Sequence, residues 1–385
     1  MRLRPALANV ALAIGSCTVV LLAAEAALRV AGYAPASFAH TNRIANRARS
    51  VLLDCYPTNP RGYFDLDLRD GATLARYRAL GLARLDEAVR QTPFAVERRY
   101  SAHQFRSPQI GPRVAGITRL VVIGDSFTEG MGVKEEDAYP QVLHRLLNTG
   151  AESGRWEVLN CGRRGYDFPA LHDLFETVLA FEPDLVVYGM VLNDPERTRE
   201  VEGREALLDD WILDRGRMFR EGGAPRLRPW DSRLFALVRD RVESDRVGRE
   251  TARWYRDLYG EANRAGWERT QGYLRDMNRR MQERGGAFLV ASWPLLVGLE
   301  GQYPFADLTE TIGRVLIAAG IPHHDLLRAL YGRPEASLWV HPVDHHPNEL
   351  AHRLAAESLL PAVRAASGNV SRDHGGQVVR PDQRE

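Results

Sequence analysis

"LVVIGDSFTEG", residues 120–130, runs four apolar side chains straight into a glycine, an acid and a hydroxyl. Leu120, Val121, Val122 and Ile123 show no alternation of polar and apolar positions, which is the pattern of a strand buried on both faces of a parallel sheet. Gly124 ends the run. Asp125 and Ser126 therefore stand beyond the strand's carboxyl end, where open parallel sheets place their ligands. The stretch predicts an α/β fold with a serine at the functional edge of the sheet.

The flanking chain repeats the signal. Apolar runs recur in "EVLN" (157–160), "DLVVYGM" (184–190) and "AFLVASW" (287–293), and more weakly in "IPHHDLL" (321–327). Helical patterns alternate with them, as in "FPALHDLFETVLAF" (168–181) and "LTETIGRVLIAAG" (308–320). This alternation predicts a central parallel sheet of about five strands with helices on both faces. The domain so marked covers residues 117–365. Within it, 200–285 is too long for an ordinary connection and reads as a helical insertion rich in Arg, Glu, Trp and Tyr. Residues 31–116 read as an irregular extension packing on that domain, with a few short strands and one helix near 72–91. The polar tail 366–385 reads as disordered.

With 385 residues, 44% hydrophobic and 26% charged, the composition is globular. Lys+Arg 51 against Asp+Glu 50 leaves a net charge of +1, and no basic stripe is interleaved with aromatics, so nothing points to a nucleic-acid partner. The N-terminus is different. After Arg2 and Arg4 comes "ALANVALAIGSCTVVLLAA" (6–24), with no charge before Glu25. About 19 such residues suffice to cross the hydrocarbon core as a helix. Preceding cations favour a cytoplasmic N-terminus and export of the chain beyond the span. Residues 1–30 thus read as a single-pass inner-membrane anchor with the rest of the chain on the periplasmic side. "AEA" (24–26) offers the competing reading, a cleaved signal peptide, but the apolar run is longer than most signal cores. Cys17, Cys55 and Cys161 form no even framework; unpaired thiols are expected, with a Cys55–Cys161 bond as the alternative.

A serine becomes a nucleophile only if a base takes its proton and donors stabilise the oxyanion. Ser126's own amide, at a strand-to-helix turn, is one donor. Asp125 reads as structural, accepting from the turn's amides, with general base as its competing role. Base candidates cluster in "WVHPVDHHPNELAHRLAAESLL" (339–360), which holds His341, Asp344, His345, His346 and His352. Pro347 reads as a helix start, with Leu350, Leu354 and Leu359 on its buried face. His346 then lies in the preceding loop, able to face the cleft, while His345 reads as solvent-facing and His352 as lying on or beneath the helix. Zinc is the competing use of these histidines, but their spacing matches no familiar ligand pattern, so neither metal nor cofactor is expected.

"NCGRRG" (160–165) and "GMVLNDP" (189–195) follow two further strands. Gly165 and Asn193 could join the Ser126 amide around one oxyanion. Arg163 and Arg164 read either as a solvated loop or as attracting an anionic substrate such as an acidic glycan.

In order, "GDSFTEG", "NCGRRG", "VLND" and "DHHPN" resemble the four blocks of the SGNH/GDSL hydrolase superfamily, over roughly residues 117–362. The resemblance implies a flavodoxin-like α/β/α sandwich. It also implies Ser126 as nucleophile, Gly165 and Asn193 as oxyanion donors, His346 as base and Asp344 as the acid orienting it. The commoner family spacing is Asp-x-x-His; here Val343 stands three before His346, and Asp344 two before. The expected protein is a membrane-anchored bacterial serine esterase, acting on an ester substrate such as an acylated glycan or lipid. A polysaccharide O-acyltransferase using the same site and a non-catalytic scaffold are the competing readings.

Overall fold

The apolar runs become strands in the computed structural model, which describes residues 3–33, 65–67, 96–204, 228–341 and 344–368. By internal packing the chain divides into two units, Met1–Tyr56 with Arg204–Arg253, and Pro57–Gly203 with Trp254–Glu385. The smaller unit contains α1 (Leu3–Val30) and most of a second long helix, introduced below.

In the larger unit, β1 (Asp65–Asp67) pairs in parallel with β2 (Val96–Arg98). Then come β3 (Thr118–Gly124), the four-residue α2 (Ser126–Glu129), α3 (Tyr139–Leu147), β4 (Trp156–Asn160), α4 (Ala170–Val178) and β5 (Leu185–Met190). They are followed by α5 (Arg233–Asp257), which begins in the smaller unit, α6 (Arg264–Glu283), β6 (Ala287–Ser292), α7 (Ala306–Ala318), β7 (His323–Asp325) and α8 (Leu327–Leu330). A hairpin of β8 (Trp339–His341) and β9 (Asp344–Pro347) leads into α9 (Glu349–Gly368).

The five strands β4-β3-β5-β6-β7 form one sheet in that order, all parallel. This is the flavodoxin-like arrangement that the block resemblance implies. Leu120 to Ile123 are fully buried, as are Leu185 to Tyr188, because helices cover both faces. Helices α3 and α9 pack together and against the sheet, and α4 and α6 form a second packed pair. The chain order reverses between β3 and β5, whose register aligns Gly124 with Gly189. A ligand cleft is expected at that reversal.

Three expectations need correction. The stretch 200–285 is not one insertion: α6 packs on β6 and α4, and so supplies the ordinary crossover between β5 and β6. Pro347 does not begin a helix. It closes β9, and Asn348 caps α9 by accepting from Leu350 N (3.0 Å) and Ala351 N (3.1 Å). The buried face of α9 is built chiefly from Ala351, Ala355, Ala356, Leu359 and Val363, with Leu350 and Leu354 only half-buried. Small side chains let α9 lie close on α3 and the sheet. The helix expected near 72–91 and the tail beyond Gly368 lie outside the described residues, and residues 366–368 still belong to α9.

Candidate active site

The serine is presented by a helix seated directly on glycines. Gly124, at the end of β3, has a φ of 153°, and a Cβ there would collide with Thr128 Oγ1 and come within 2.7 Å of the Gly189 carbonyl. A Cβ on Gly189 would reach Thr128 Oγ1 at 2.5 Å, and one on Gly162 would meet the backbone carbon of Thr128 at 2.6 Å. Three strand ends thus close around α2 only because none carries a side chain there. Asp125 caps the helix, its Oδ1 accepting from Phe127 N at 2.8 Å. This is the structural role expected from the sequence. Burial, aided by the Glu129 charge, pushes the Asp125 carboxyl up to about 7. Gly130, in the left-handed region at φ 79°, ends the helix. Buried Arg106 holds that end by donating to the carbonyls of Glu129 (3.2 Å), Gly130 (2.5 Å) and Val133 (2.6 Å).

His346 reaches this serine from β9. Its Nε2 lies 2.8 Å from Ser126 Oγ, and its ring packs on Phe127 with centroids 5.3 Å apart. His346 is buried and Ser126 half-exposed, so the hydroxyl can meet a ligand while the imidazole stays largely out of water. Neighbours on a strand face opposite ways, which sends His345 away from the serine. It stacks on Trp339 at 3.9 Å and is 6% exposed, not solvent-facing. His352 lies beneath the site, its Nδ1 accepting from Tyr139 N at 3.2 Å between the rings of Tyr139 and Trp293. Burial pushes its pKa down to about 3, so it is neutral. The backbone of Asp344 pairs with His341 in the hairpin; both side chains lie outside the described residues.

The loops after β4 and β5 complete the edge. Cys161 N donates to the Val122 carbonyl and Arg163 N to the Gly124 carbonyl, both at 2.8 Å, so the ladder beside β3 continues past β4 toward Gly165. Gly165 is exposed at φ 74°, where glycine bears no steric penalty. Asn193 is half-buried beyond β5, and its carbonyl accepts from Arg197. Asp194, next to Asn193 in the chain, ties the two loops together. Its carbonyl accepts from Phe168 N (2.9 Å), and its Oδ2 from Tyr188 OH (2.5 Å) and Val191 N (2.9 Å). Burial and the nearby Asp125 charge push its carboxyl well above the carboxylate range. Its only local signal was adjacency to Asn193.

Arg163 and Arg164 do not form a solvated loop. Arg164 pairs with Glu129 at 2.8 Å, and its own amide donates to the same carboxylate at 2.9 Å. Tyr100 OH adds a third donor at 2.9 Å. Burial opposes the Glu129 charge, but Arg164 and Tyr100 outweigh it and hold the carboxyl down at about 2. The Arg163 guanidinium lies 4.8 Å over the Phe105 ring and donates to the His103 carbonyl at 3.2 Å. Glu129 was invisible as a site residue from sequence, because its partner is 35 positions away.

Cys161 is a buried free thiol whose pKa burial raises. Cys55 lies outside the described residues. Among the described residues, His172, Glu176 and Asp276 are the acids and imidazole whose ligand atoms come within 4.8 Å of one another. Arg280 pairs with Glu176 and Arg279 with Asp276, making this an ion-pair network of α4 and α6.

The GDSL-like Lipase/Acylhydrolase family model matches residues 122–354. No protein with a curated description matches the chain by sequence. Several solved structures resemble it. One is a G-D-S-L family protein from Desulfitobacterium hafniense DCB-2, at 17% identity and a TM-score of 0.37, covering 63% of this chain and 98% of that one. Another is a catalytic mutant of Axe2, an acetylxylan esterase from Geobacillus stearothermophilus, at 16% identity and a TM-score of 0.39, covering 66% of this chain and 96% of that one. A two-domain esterase active on acetylated mannans matches at 15% identity and a TM-score of 0.35, over 69% of this chain and 53% of that one.

Proposed function

The chain belongs to the GDSL-like lipase/acylhydrolase family and is an ester-bond hydrolase, and we propose that it is an exported, membrane-anchored serine esterase. The observation that carries the mechanism is the 2.8 Å approach of Ser126 Oγ to His346 Nε2. His346 takes the hydroxyl proton as Ser126 Oγ attacks the ester carbonyl carbon. The tetrahedral oxyanion receives hydrogen bonds from the amides of Ser126 and Gly165 and from the Asn193 side chain. Collapse expels the alcohol, which takes the proton back from His346. Water, deprotonated by the same imidazole, then attacks the acyl-enzyme and releases the acid and free Ser126. In an extended strand, residues two apart project to the same side, so Asp344 can accept the other imidazole N–H and hold the useful tautomer. Asn348 already caps α9, which leaves Asp344 free of that duty.

Anchoring rests on Asn9–Val30, 22 residues whose most apolar 18-residue window has a mean hydropathy of 2.0 with none of it buried, preceded by Arg2 and Arg4. On this reading residues 1–30 anchor the enzyme, 31–116 extend and 117–365 carry the catalytic site. The substrate is then an acyl ester of the cell envelope, borne by a glycan or a lipid. A serine-directed phosphonate tests the core of the proposal. The wild type should label, and Ser126→Ala should neither label nor turn over esters above about 10⁻³ of the wild-type rate. Labelling of another serine in Ser126→Ala would overturn the assignment.

A further inference from the structure

Glu25 and Arg29, one turn apart, are the two charged residues of the span Asn9–Val30. Ionisable groups at membrane depth are costly and are held by partners. Here the partners come from the other segment of the smaller unit, residues 229–234. Ser232 caps α5 by accepting from Phe235 N at 3.1 Å. The Glu25 carboxylate takes the next two amides, Arg233 N (3.0 Å) and Leu234 N (2.8 Å), and the Ser232 hydroxyl at 2.9 Å. Arg29 pairs with Glu25 at 2.7 Å and donates to the carbonyls of Pro229 (2.5 Å) and Asp231 (3.0 Å). The donors orphaned at the start of α5 are thus satisfied largely by the anchor helix.

The segment held in this way exposes apolar side chains. Trp230 is 73% exposed and Phe235 67%, with Val238 and Val242 also bare. Phe235, Val238 and Val242 are spaced three and four apart and so share one face of α5. Exposed Arg239 and Arg246, each four residues beyond Phe235 and Val242, border that face, and the Arg228 guanidinium lies 5.9 Å over the Trp230 ring. Glu25 is five residues from the end of the span, about 7.5 Å along the helix axis. The clasp therefore sits where the span leaves the hydrocarbon. Tryptophan, apolar side chains and arginine together at that depth match the interface of a bilayer with anionic lipid.

We propose that residues 228–242 form a second membrane contact, in which Trp230, Phe235, Val238 and Val242 enter the headgroup region of the bilayer that α1 spans, held at that depth by Glu25 and Arg29. This rests on the anchor reading of α1. The test uses the full chain, with Cys17, Cys55 and Cys161 replaced by alanine, reconstituted in phosphatidylethanolamine–phosphatidylglycerol vesicles. An environment-sensitive dye is attached in turn to Leu22→Cys, Phe235→Cys, Val238→Cys and Val242→Cys. The dye at 22 should be quenched by spin labels deep in the acyl chains. Dyes at 235, 238 and 242 should be blue-shifted, quenched by headgroup-level spin labels and shielded from aqueous iodide. Adding Glu25→Ala with Arg29→Ala should expose the dye at 235 to iodide and leave that at 22 unchanged. Iodide quenching at 235, 238 and 242 while 22 stays in lipid would overturn the second contact and spare the anchor. Shielding from iodide and lipid labels alike would mean a second copy of the chain covers the patch, which also overturns it. An unaltered dye at 235 in the double variant would refute the clasp. A dye at 22 that escapes lipid quenching would remove the anchor reading and this proposal with it.

Discussion

Arg164→Gln separates two uses of an arginine beside the proposed active site. The Glu129 carboxyl, 2% exposed, falls from the ordinary 4.5 to about 2 because Arg164 and Tyr100 more than offset its burial. At about 1.4 kcal/mol per tenfold change in proton affinity, that corresponds to roughly 3 kcal/mol of stability. The substituted glutamine keeps the backbone amide and Tyr100 keeps its hydroxyl, so the variant should lose about 2 kcal/mol, less than the ~3–5 kcal/mol for breaking a fully buried pair, since Arg164 is itself only half-buried. For a domain of this size the melting temperature should drop by about 4–8 °C at pH 7. The sign with pH follows from the depressed carboxyl. The contribution is complete above 4.5 and disappears as pH falls through about 2, so the difference from wild type should shrink in acid. Glu129 ends the helix that Ser126 begins, so kcat should fall for neutral and acidic esters alike. Thermal melts at pH 7 and pH 3, with kcat and KM on an acidic and a neutral ester, measure all of this. An unchanged melting temperature with KM raised only for the acidic ester would refute the reasoning and make Arg164 a substrate contact.

Three further outcomes rest on the same geometry. Gly162→Ala drives a Cβ against the Thr128 backbone, which cannot yield without moving Ser126; overpacking should cost about 1–3 kcal/mol and lower kcat more than it raises KM, and wild-type melting with wild-type kcat would contradict the close seating of α2. Asp344→Asn should cut kcat by about 10² or more while melting near wild type, since Asn348 caps α9; near-normal kcat would leave a Ser126–His346 dyad. Asp125→Asn keeps the cap to Phe127 N and removes a buried charge. Because the wild-type carboxyl is raised to about 7, its burial lowers stability as pH rises from 3.8 toward 7, so the variant should melt higher above pH 7 and lose its advantage near pH 4. A difference that is constant with pH would show that the carboxyl is not raised.

How much of this was legible depended on the range of the interaction. The sheet was legible because Leu120–Ile123 and Leu185–Tyr188 are buried on both faces, and such strands advertise themselves by lacking alternation. Ser126 was legible because the apolar run stops immediately before it. For His346 the sequence predicts a loop, whereas it stands on a strand whose alternation separates it from His345. The helix start is read two positions early, at Pro347 rather than Glu349, because Pro347 is a good first helical residue and an equally good last residue of an edge strand.

By itself, then, the sequence determined the order of strands and helices, the edge of the sheet at which Ser126 stands and the residue types gathered there. These are written in local periodicity and spacing, which burial imposes on neighbours along the chain. Only the tertiary structure decided which imidazole meets Ser126, that Glu129 is held by Arg164, that Asp194 joins the loops of Gly165 and Asn193, and that Glu25 caps a helix some 200 residues away. Each of these is a pairing across distant segments. It depends on which strand ends lie side by side and how closely glycine lets them approach, and no local pattern records that.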